Sequence, residues 1–81
     1  MVTIDNATYI ILNLCRVLAY VQDGLVLSKK EGGEWGLKNI HRKYQGLIKE
    51  ALVCYTSDQN MIPNASLAVE YCKYMKNNIG L

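Results

Sequence analysis

The sequence has few of the side chains from which crosslinks and metal sites are built. Its three cysteines, Cys15, Cys54 and Cys72, are odd in number and lie at helix-like positions among apolar neighbours. They show neither CxxC nor Cys/His ligand spacing, which excludes a disulfide framework and a zinc site. The carboxylates are scattered, with no pair spaced to hold magnesium. We therefore expect reduced core cysteines, as in a cytoplasmic protein, and no intrinsic cofactor.

Catalytic motifs are equally scarce. His41 is the only histidine, and no serine or cysteine nucleophile accompanies it in a recognisable motif. We therefore interpret it as a solvated loop residue rather than a general base. Gly32 and Gly33 come after a capping serine and not after a predicted strand, which excludes the P-loop and the dinucleotide-binding motif.

The chain has neither a strong charge nor a long uninterrupted apolar run. Its net charge of +2 is too small to predict nucleic-acid binding, and the basic residues 41–43 are typical of a solvated face. Asn13 and Arg16 interrupt the longest apolar stretch before it reaches the roughly 20 residues that span a bilayer. No basic signal-peptide region precedes that stretch. The sequence thus predicts one cytoplasmic domain over residues 1–81, without a nucleic-acid or membrane partner.

The first two helices are predicted from their end signals. An apolar stretch can be capped by Asp5 or Asn6 and stops at residues 23–24, Asp-Gly, where glycine can take the left-handed conformation. Residues 28–31, Ser-Lys-Lys-Glu, have the spacing of a capping box that starts a second helix. The glycines that follow cost roughly 1 kcal/mol each relative to alanine in a helix, so packing of Trp35 must hold this turn.

The other two helices are predicted from apolar stripes. One stripe runs from Arg42 to about Ser57, and the other follows a loop at Pro63 and ends at Gly80. No segment has the alternating pattern of a strand. The sequence therefore predicts an all-α antiparallel bundle of about four helices with short loops.

Arg16 is the most informative residue of the first helix. It lies within residues 9–21, which are so apolar that we expect the helix to be buried nearly all round. A buried guanidinium keeps its charge, so it requires an acidic side chain of the fold or an anionic ligand. Asn13, Tyr20 and Tyr9 lie at helical spacing from it and form one polar stripe. An internal ion pair to Asp or Glu, or a place on the one wet face of the helix, is the structural alternative.

Four segments of the chain carry a resemblance to a known family. They are NLCRVLAY at 13–20, LSKKEGGEW at 27–35, YQGLI at 44–48 and ALVCY at 51–55. In order and spacing, the chain resembles the C-terminal helical domain of aminoglycoside adenylyltransferases that act on spectinomycin and streptomycin. The resemblance covers roughly residues 5–57 and is weak after that.

The resemblance implies that two domains supply different parts of the reaction. In that family an N-terminal nucleotidyltransferase domain supplies the magnesium-binding carboxylates and the catalytic glutamate, and the helical domain closes over ATP and the antibiotic. This chain has no Asp-x-Asp motif for that chemistry. We therefore expect a C-terminal fragment of a bacterial antibiotic-resistance enzyme, inactive alone, with ATP and magnesium bound mainly by the N-terminal domain.

The resemblance also implies a set of site residues. The family's phosphate-contacting arginine, lysine and tyrosine match Arg16, Lys29 and Tyr55. On the aminoglycoside side, Asp5 is the matching candidate, and Asn13 and Tyr9 are further candidates.

Two functions of other classes compete with this one. The first is a free-standing helical interaction module, in which an exposed groove binds a partner protein and Arg16 is merely ion-paired. The second is a helical ribonuclease of the kind paired with minimal nucleotidyltransferases. That enzyme needs an arginine a few residues before its histidine, and His41 has none.

The apolar first helix also predicts self-association. Three further short helices can cover only part of its circumference, which leaves a patch larger than a stable monomer usually exposes. We therefore expect a symmetric homodimer that buries Ile10, Ile11 and Leu14.

Overall fold

A computed structural model describes the backbone of residues 4–59 and 61–80, with side chains described from residue 7 onward. Within these residues there are four α-helices and no strand. The helices are α1 (Ile4–Asp23), α2 (Lys29–Asn39), α3 (Gln45–Thr56) and α4 (Ala65–Ile79). The all-α bundle predicted from the sequence is confirmed, and α1 is its central element because it packs against all three others.

Several helix ends follow the predicted signals, but Asp5 and Asn6, which were predicted to cap the first helix, lie within α1, because the described helix already begins at Ile4. Gly24 ends α1 with φ of 67°, and Gly80 ends α4 with φ of 92°. At the start of α2 the capping box is complete: the Glu31 amide donates to Ser28 Oγ at 3.1 Å, and the Ser28 amide donates to Glu31 Oε1 at 2.9 Å. These two bonds hold the pKa of Glu31 below its usual range. The loop between α1 and α2 is therefore fixed at both ends.

The third helix differs from its prediction at its start. The stripe predicted a helix from Arg42, whereas residues 42–44 form a 3-10 turn and the α-helix begins at Gln45. The exposed side chain of His41 caps this turn, since its Nδ1 accepts a hydrogen bond from the Lys43 amide at 3.0 Å. His41 is thus a loop residue, as predicted, with a local structural role in addition.

The glycines of α2 allow it to lie against its neighbours at short range. A Cβ added to Gly33 would lie 2.5 Å from Cδ2 of Leu52 and 2.8 Å from Cδ2 of Leu12. Trp35 packs into the core, with 9% of its surface exposed, and its indole N–H donates to Asp23 Oδ2 at 3.0 Å. The predicted packing of Trp35 is confirmed, and the hydrogen bond additionally ties α2 to the end of α1.

A buried polar pair lies at the centre of the bundle. The hydroxyl of Tyr71 in α4 donates to the Ile11 carbonyl of α1 at 2.8 Å and lies 3.3 Å from Cys15 Sγ. Burial raises the pKa of the Cys15 thiol to about 11. All three cysteines are free, and whereas Cys15 is buried, Cys54 and Cys72 are half-buried at the edge of the core.

The prediction that α1 is buried nearly all round is wrong. Tyr9, Val17, Tyr20 and Val21 of this helix each expose between 44% and 61% of their surface. The other three helices pack around one side of α1, and much of the opposite side is left uncovered in the described residues. Ile11, which we expected in a dimer interface, faces the covered side and is only 3% exposed.

Candidate functional site

A cavity opens on the uncovered side of α1, beside the loop that leads to α2. Its volume is about 350 Å³. Most of its wall is apolar, and its polar side chains include Asn13 and Arg16. The lining residues are Asn13, Arg16, Val17, Tyr20, Leu25, Val26 and Leu27.

Arg16 is held in this cavity by oxygen atoms that carry no charge. Its Nε donates to the Leu27 carbonyl at 2.7 Å, and its Nη1 donates to Asn13 Oδ1 at 3.1 Å. The side chain is half-buried rather than fully buried, so the expected degree of burial is wrong. An internal ion pair is also not found, because no described carboxylate lies within ion-pair distance of the guanidinium. Within the described residues the positive charge of Arg16 is therefore not paired with a carboxylate, and two of its five N–H donors are engaged there.

The first turn of α2 packs directly against Arg16. A Cβ added to Gly32 would lie 2.5 Å from Arg16 Cγ and 3.2 Å from the Arg16 backbone nitrogen. Only a residue without a side chain allows this approach. The side chain of Arg16 is thus confined by a helix on one side and a loop carbonyl on the other.

Lys29 and Tyr55 each contact Tyr9, at a second point on α1. Lys29 Nζ lies 5.5 Å from the centre of the Tyr9 ring, within the range of a cation–π contact. The rings of Tyr9 and Tyr55 lie edge to face, with 6.0 Å between their centres. Lys29 is half-buried and Tyr55 is 39% exposed, so both side chains are partly accessible to solvent.

The two groups are neighbours along one stripe of α1. Tyr9 precedes Asn13 by one helical turn, and Asn13 precedes Arg16 by another. Arg16 lines the cavity, whereas Lys29 and Tyr55 do not belong to its lining and contact Tyr9 instead.

One expected contact residue, Asp5, is not described in full, and one hydrogen-bond partner of Arg16 could not be predicted from the sequence. Asp5 lies in the first turns of α1, and its side chain is outside the described part of the structure. The main-chain carbonyl of Leu27 holds Arg16, and since every residue carries a carbonyl, no residue type could have indicated it.

The polar groups of this stripe are mainly hydrogen-bond donors. Arg and Lys side chains only donate, and the Tyr55 hydroxyl can donate as well. Two acidic side chains that are close to the stripe in sequence accept hydrogen bonds from other groups, Asp23 from the Trp35 indole and Glu31 from the Ser28 amide. Such a surface suits an anion. The described residues contain no cluster of side chains that could hold a metal ion.

A separate charged network joins the 3-10 turn to α4. Lys43 forms an ion pair with Glu70, and the Tyr44 hydroxyl donates to Glu70 Oε2 at 3.0 Å. The hydrogen bonds from Lys43 and Tyr44 hold the pKa of Glu70 below its usual value. Because Lys43 and Tyr44 both contact the same oxygen of Glu70, we interpret this network as a structural link between the 3-10 turn and α4.

Comparison with known proteins gives one family. The family model described as aminoglycoside adenylyltransferase, C-terminal domain, matches residues 2–78. The match therefore extends well beyond residues 5–57, to which the resemblance in sequence was confined. No curated protein and no solved structure matches the chain. None of the helices in the described residues is long and apolar enough to cross a membrane.

Proposed function

The chain belongs to the family of aminoglycoside adenylyltransferase C-terminal domains, and we propose that it binds the phosphates of ATP through Arg16, Lys29 and Tyr55. The observation that carries the proposal is the state of Arg16, which is half-buried, fixed by two uncharged oxygens and unmatched by any described carboxylate. Holding a cation in this way has a free-energy cost that an anionic ligand would offset.

Each proposed contact has a distinct physical basis. The three N–H donors of the Arg16 Nη groups that have no protein partner in the described residues can donate to phosphate oxygens in charge-assisted hydrogen bonds. Lys29 is the first residue of α2, where the positive end of the helix dipole disfavours a cation unless an anion is nearby. Its contact with the Tyr9 ring restricts its motion, and Tyr55, whose ring also contacts Tyr9, carries a hydroxyl that can donate as well.

The reaction itself requires groups that the described residues do not hold. We propose that a nucleotidyltransferase domain supplies the magnesium ligands and the catalytic base, as in the family, and that the present chain closes over ATP and the antibiotic. We further propose spectinomycin or streptomycin as the antibiotic, a cytoplasmic location, and Asp5 and Tyr9 as contacts on the aminoglycoside side. On this proposal the chain alone does not transfer AMP.

Titration calorimetry of the chain with ATP and magnesium tests the phosphate site. We expect Arg16→Ala to weaken ATP binding by roughly 10- to 150-fold, which corresponds to losing about 1.5 to 3 kcal/mol of charge-assisted hydrogen bonding. Lys29→Ala should weaken binding as well. Lys30→Ala is the matched control, because Lys30 carries the same charge, is adjacent in sequence and is exposed.

The same substitution can be tested in an enzyme in which the chain is joined to a nucleotidyltransferase domain. Arg16→Ala should then impair the use of ATP while antibiotic binding is largely kept. If the variant has unchanged ATP affinity and unchanged ATP kinetics, or if Lys30→Ala has the same effect, the phosphate assignment is wrong.

A second candidate function, a contact surface for another protein, is favoured by the exposed apolar residues near the cavity. We call these residues the apolar ridge: Val17, Tyr20, Val21, Leu25 and Val26, all at least 39% exposed. A symmetric homodimer would bury this ridge together with the half-buried Ile10 and Leu14. Sedimentation at tens of micromolar would detect it, and Val17→Asp should then yield monomers. A monomer at that concentration would count against self-association.

A further inference from the structure

The orientation of the Asn13 side chain follows from the chemistry of its partner. Arginine only donates hydrogen bonds, so the Asn13 atom that lies 3.1 Å from Arg16 Nη1 must be the carboxamide oxygen. The NH₂ group of Asn13 is thereby turned away from Arg16. No hydrogen bond engages this NH₂ group within the described part of the chain, and Asn13 lines the same cavity as Arg16.

We infer that Asn13 belongs to the anion site and has two roles there: its oxygen positions Arg16, and its NH₂ group is a further donor to the phosphate. This inference rests on the proposed function, since it takes the ligand of Arg16 to be a phosphate. It gives Asn13 a different role from the aminoglycoside contact expected from the resemblance.

The positioning role follows from how Arg16 is held. The Leu27 carbonyl holds Nε, and Gly32 confines the aliphatic part of the Arg16 side chain. Neither contact by itself determines where the two Nη groups point. The bond from Nη1 to Asn13 adds a second fixed point one turn away on the same helix. Two fixed points on a planar group leave the Nη2 edge in one orientation.

The donor role explains why an amide, and not a carboxylate, suits this position. An aspartate would accept the same hydrogen bond from Nη1 and would also neutralise the guanidinium. The cavity would then contain an ion pair and would no longer attract an anion. An asparagine supplies the accepting oxygen, leaves the positive charge of Arg16 uncompensated and adds two N–H donors.

Binding of inorganic tripolyphosphate to the chain, measured by titration calorimetry, tests this inference. It supplies phosphate oxygens without a nucleoside. We expect Asn13→Asp to weaken binding by at least about 20-fold, because the introduced carboxylate pairs with Arg16 and repels the ligand. Asn13→Ala, which loses the donor and the positioning bond without adding charge, should weaken it by about fivefold. Asn77→Asp is the matched control, since it makes the same change at an exposed position of α4, and we expect less than about a twofold effect.

A thermal melt of each variant separates a role in binding from a role in folding. Asn13→Asp should keep or raise the melting temperature while affinity falls, because the carboxylate still accepts from Arg16. If affinity instead follows melting temperature across the variants, or if Asn13→Asp binds tripolyphosphate as well as Asn77→Asp does, the inference is overturned.

The same titrations distinguish failure of this inference from failure of the proposed function. If Arg16→Ala loses binding and the two Asn13 variants do not, only the role of Asn13 is wrong. If the unchanged chain does not bind tripolyphosphate or ATP, or if Arg16→Ala binds as well as the unchanged chain, both proposals fail.

Discussion

The close packing of α2 makes a sharp prediction about alanine in place of Gly33. In an exposed helix, Gly→Ala stabilises by roughly 0.5 to 1 kcal/mol, since alanine loses less backbone entropy on folding. At Gly33 the new Cβ would lie 2.5 Å from Leu52 Cδ2 and 2.8 Å from Leu12 Cδ2. Leu52 is half-buried and can move, but Leu12 is fully buried and has little room. Overpacking of this kind costs about 1 to 3 kcal/mol, so we expect a net loss of up to about 2.5 kcal/mol after the gain in helix propensity.

Gly46 offers the opposite outcome for the same substitution. It lies in the first turn of α3, is exposed, and has nothing within 4 Å of an added Cβ. Gly46→Ala should therefore raise the free energy of unfolding by up to about 1 kcal/mol. Urea and thermal unfolding followed by circular dichroism measure both variants, and a loss of 1 kcal/mol corresponds to roughly 4 to 8 °C in a domain of this size. If both alanines stabilise the chain equally, the close contact between α2 and its neighbours is not real.

Two further predictions concern the helix cap and the buried thiol. Ser28→Ala should lower the free energy of unfolding by about 1 kcal/mol, because it removes one half of the capping box; a urea melt measures this, and the exposed Ser66→Ala is the control, which should change little. For Cys15, whose ordinary pKa is 9.0 and whose folded pKa burial raises to about 11, the folded chain holds a proton that the unfolded chain releases. Stability should therefore fall as the pH rises from about 9 toward 11, and a Cys15→Ala variant with an equally steep fall would contradict this explanation.

The fold was largely predictable because particular side chains mark where several of its helices begin or end. Ser28 and Glu31 are three residues apart and can satisfy each other's amides in only one local geometry, so the start of α2 followed from residue types alone. Gly24 likewise marked the end of α1. The 3-10 turn before α3 was not predictable in this way, because an apolar stripe does not distinguish it from an α-turn, and the histidine that caps it has no strong sequence signature.

For the candidate site, the sequence predicted a fixed arginine at position 16 but not how exposed that arginine and its neighbours are. Arg16 is unusual in so apolar a stretch, and this alone indicated a fixed cation. How much of α1 is covered depends on where the other helices pack, and that information is spread over the whole chain. The prediction from the sequence therefore made Val17 and Tyr20 more buried than they are. It also could not identify the Leu27 carbonyl as a partner of Arg16.

The hydrogen bond from Arg16 Nε to the Leu27 carbonyl has a consequence for how substitutions at this position should be judged among homologues. This bond ties the turn between α1 and α2 to the rest of the domain. Lysine has a single terminal nitrogen in place of Nε and the two Nη groups, so it cannot both hold that turn and contact Asn13. Selection for folding alone would therefore retain arginine here, even in homologues without the proposed nucleotide binding. Conservation of Asn13 among homologues would be the better indicator of ligand binding, since an aspartate could accept the same hydrogen bond from Arg16 and maintain the fold.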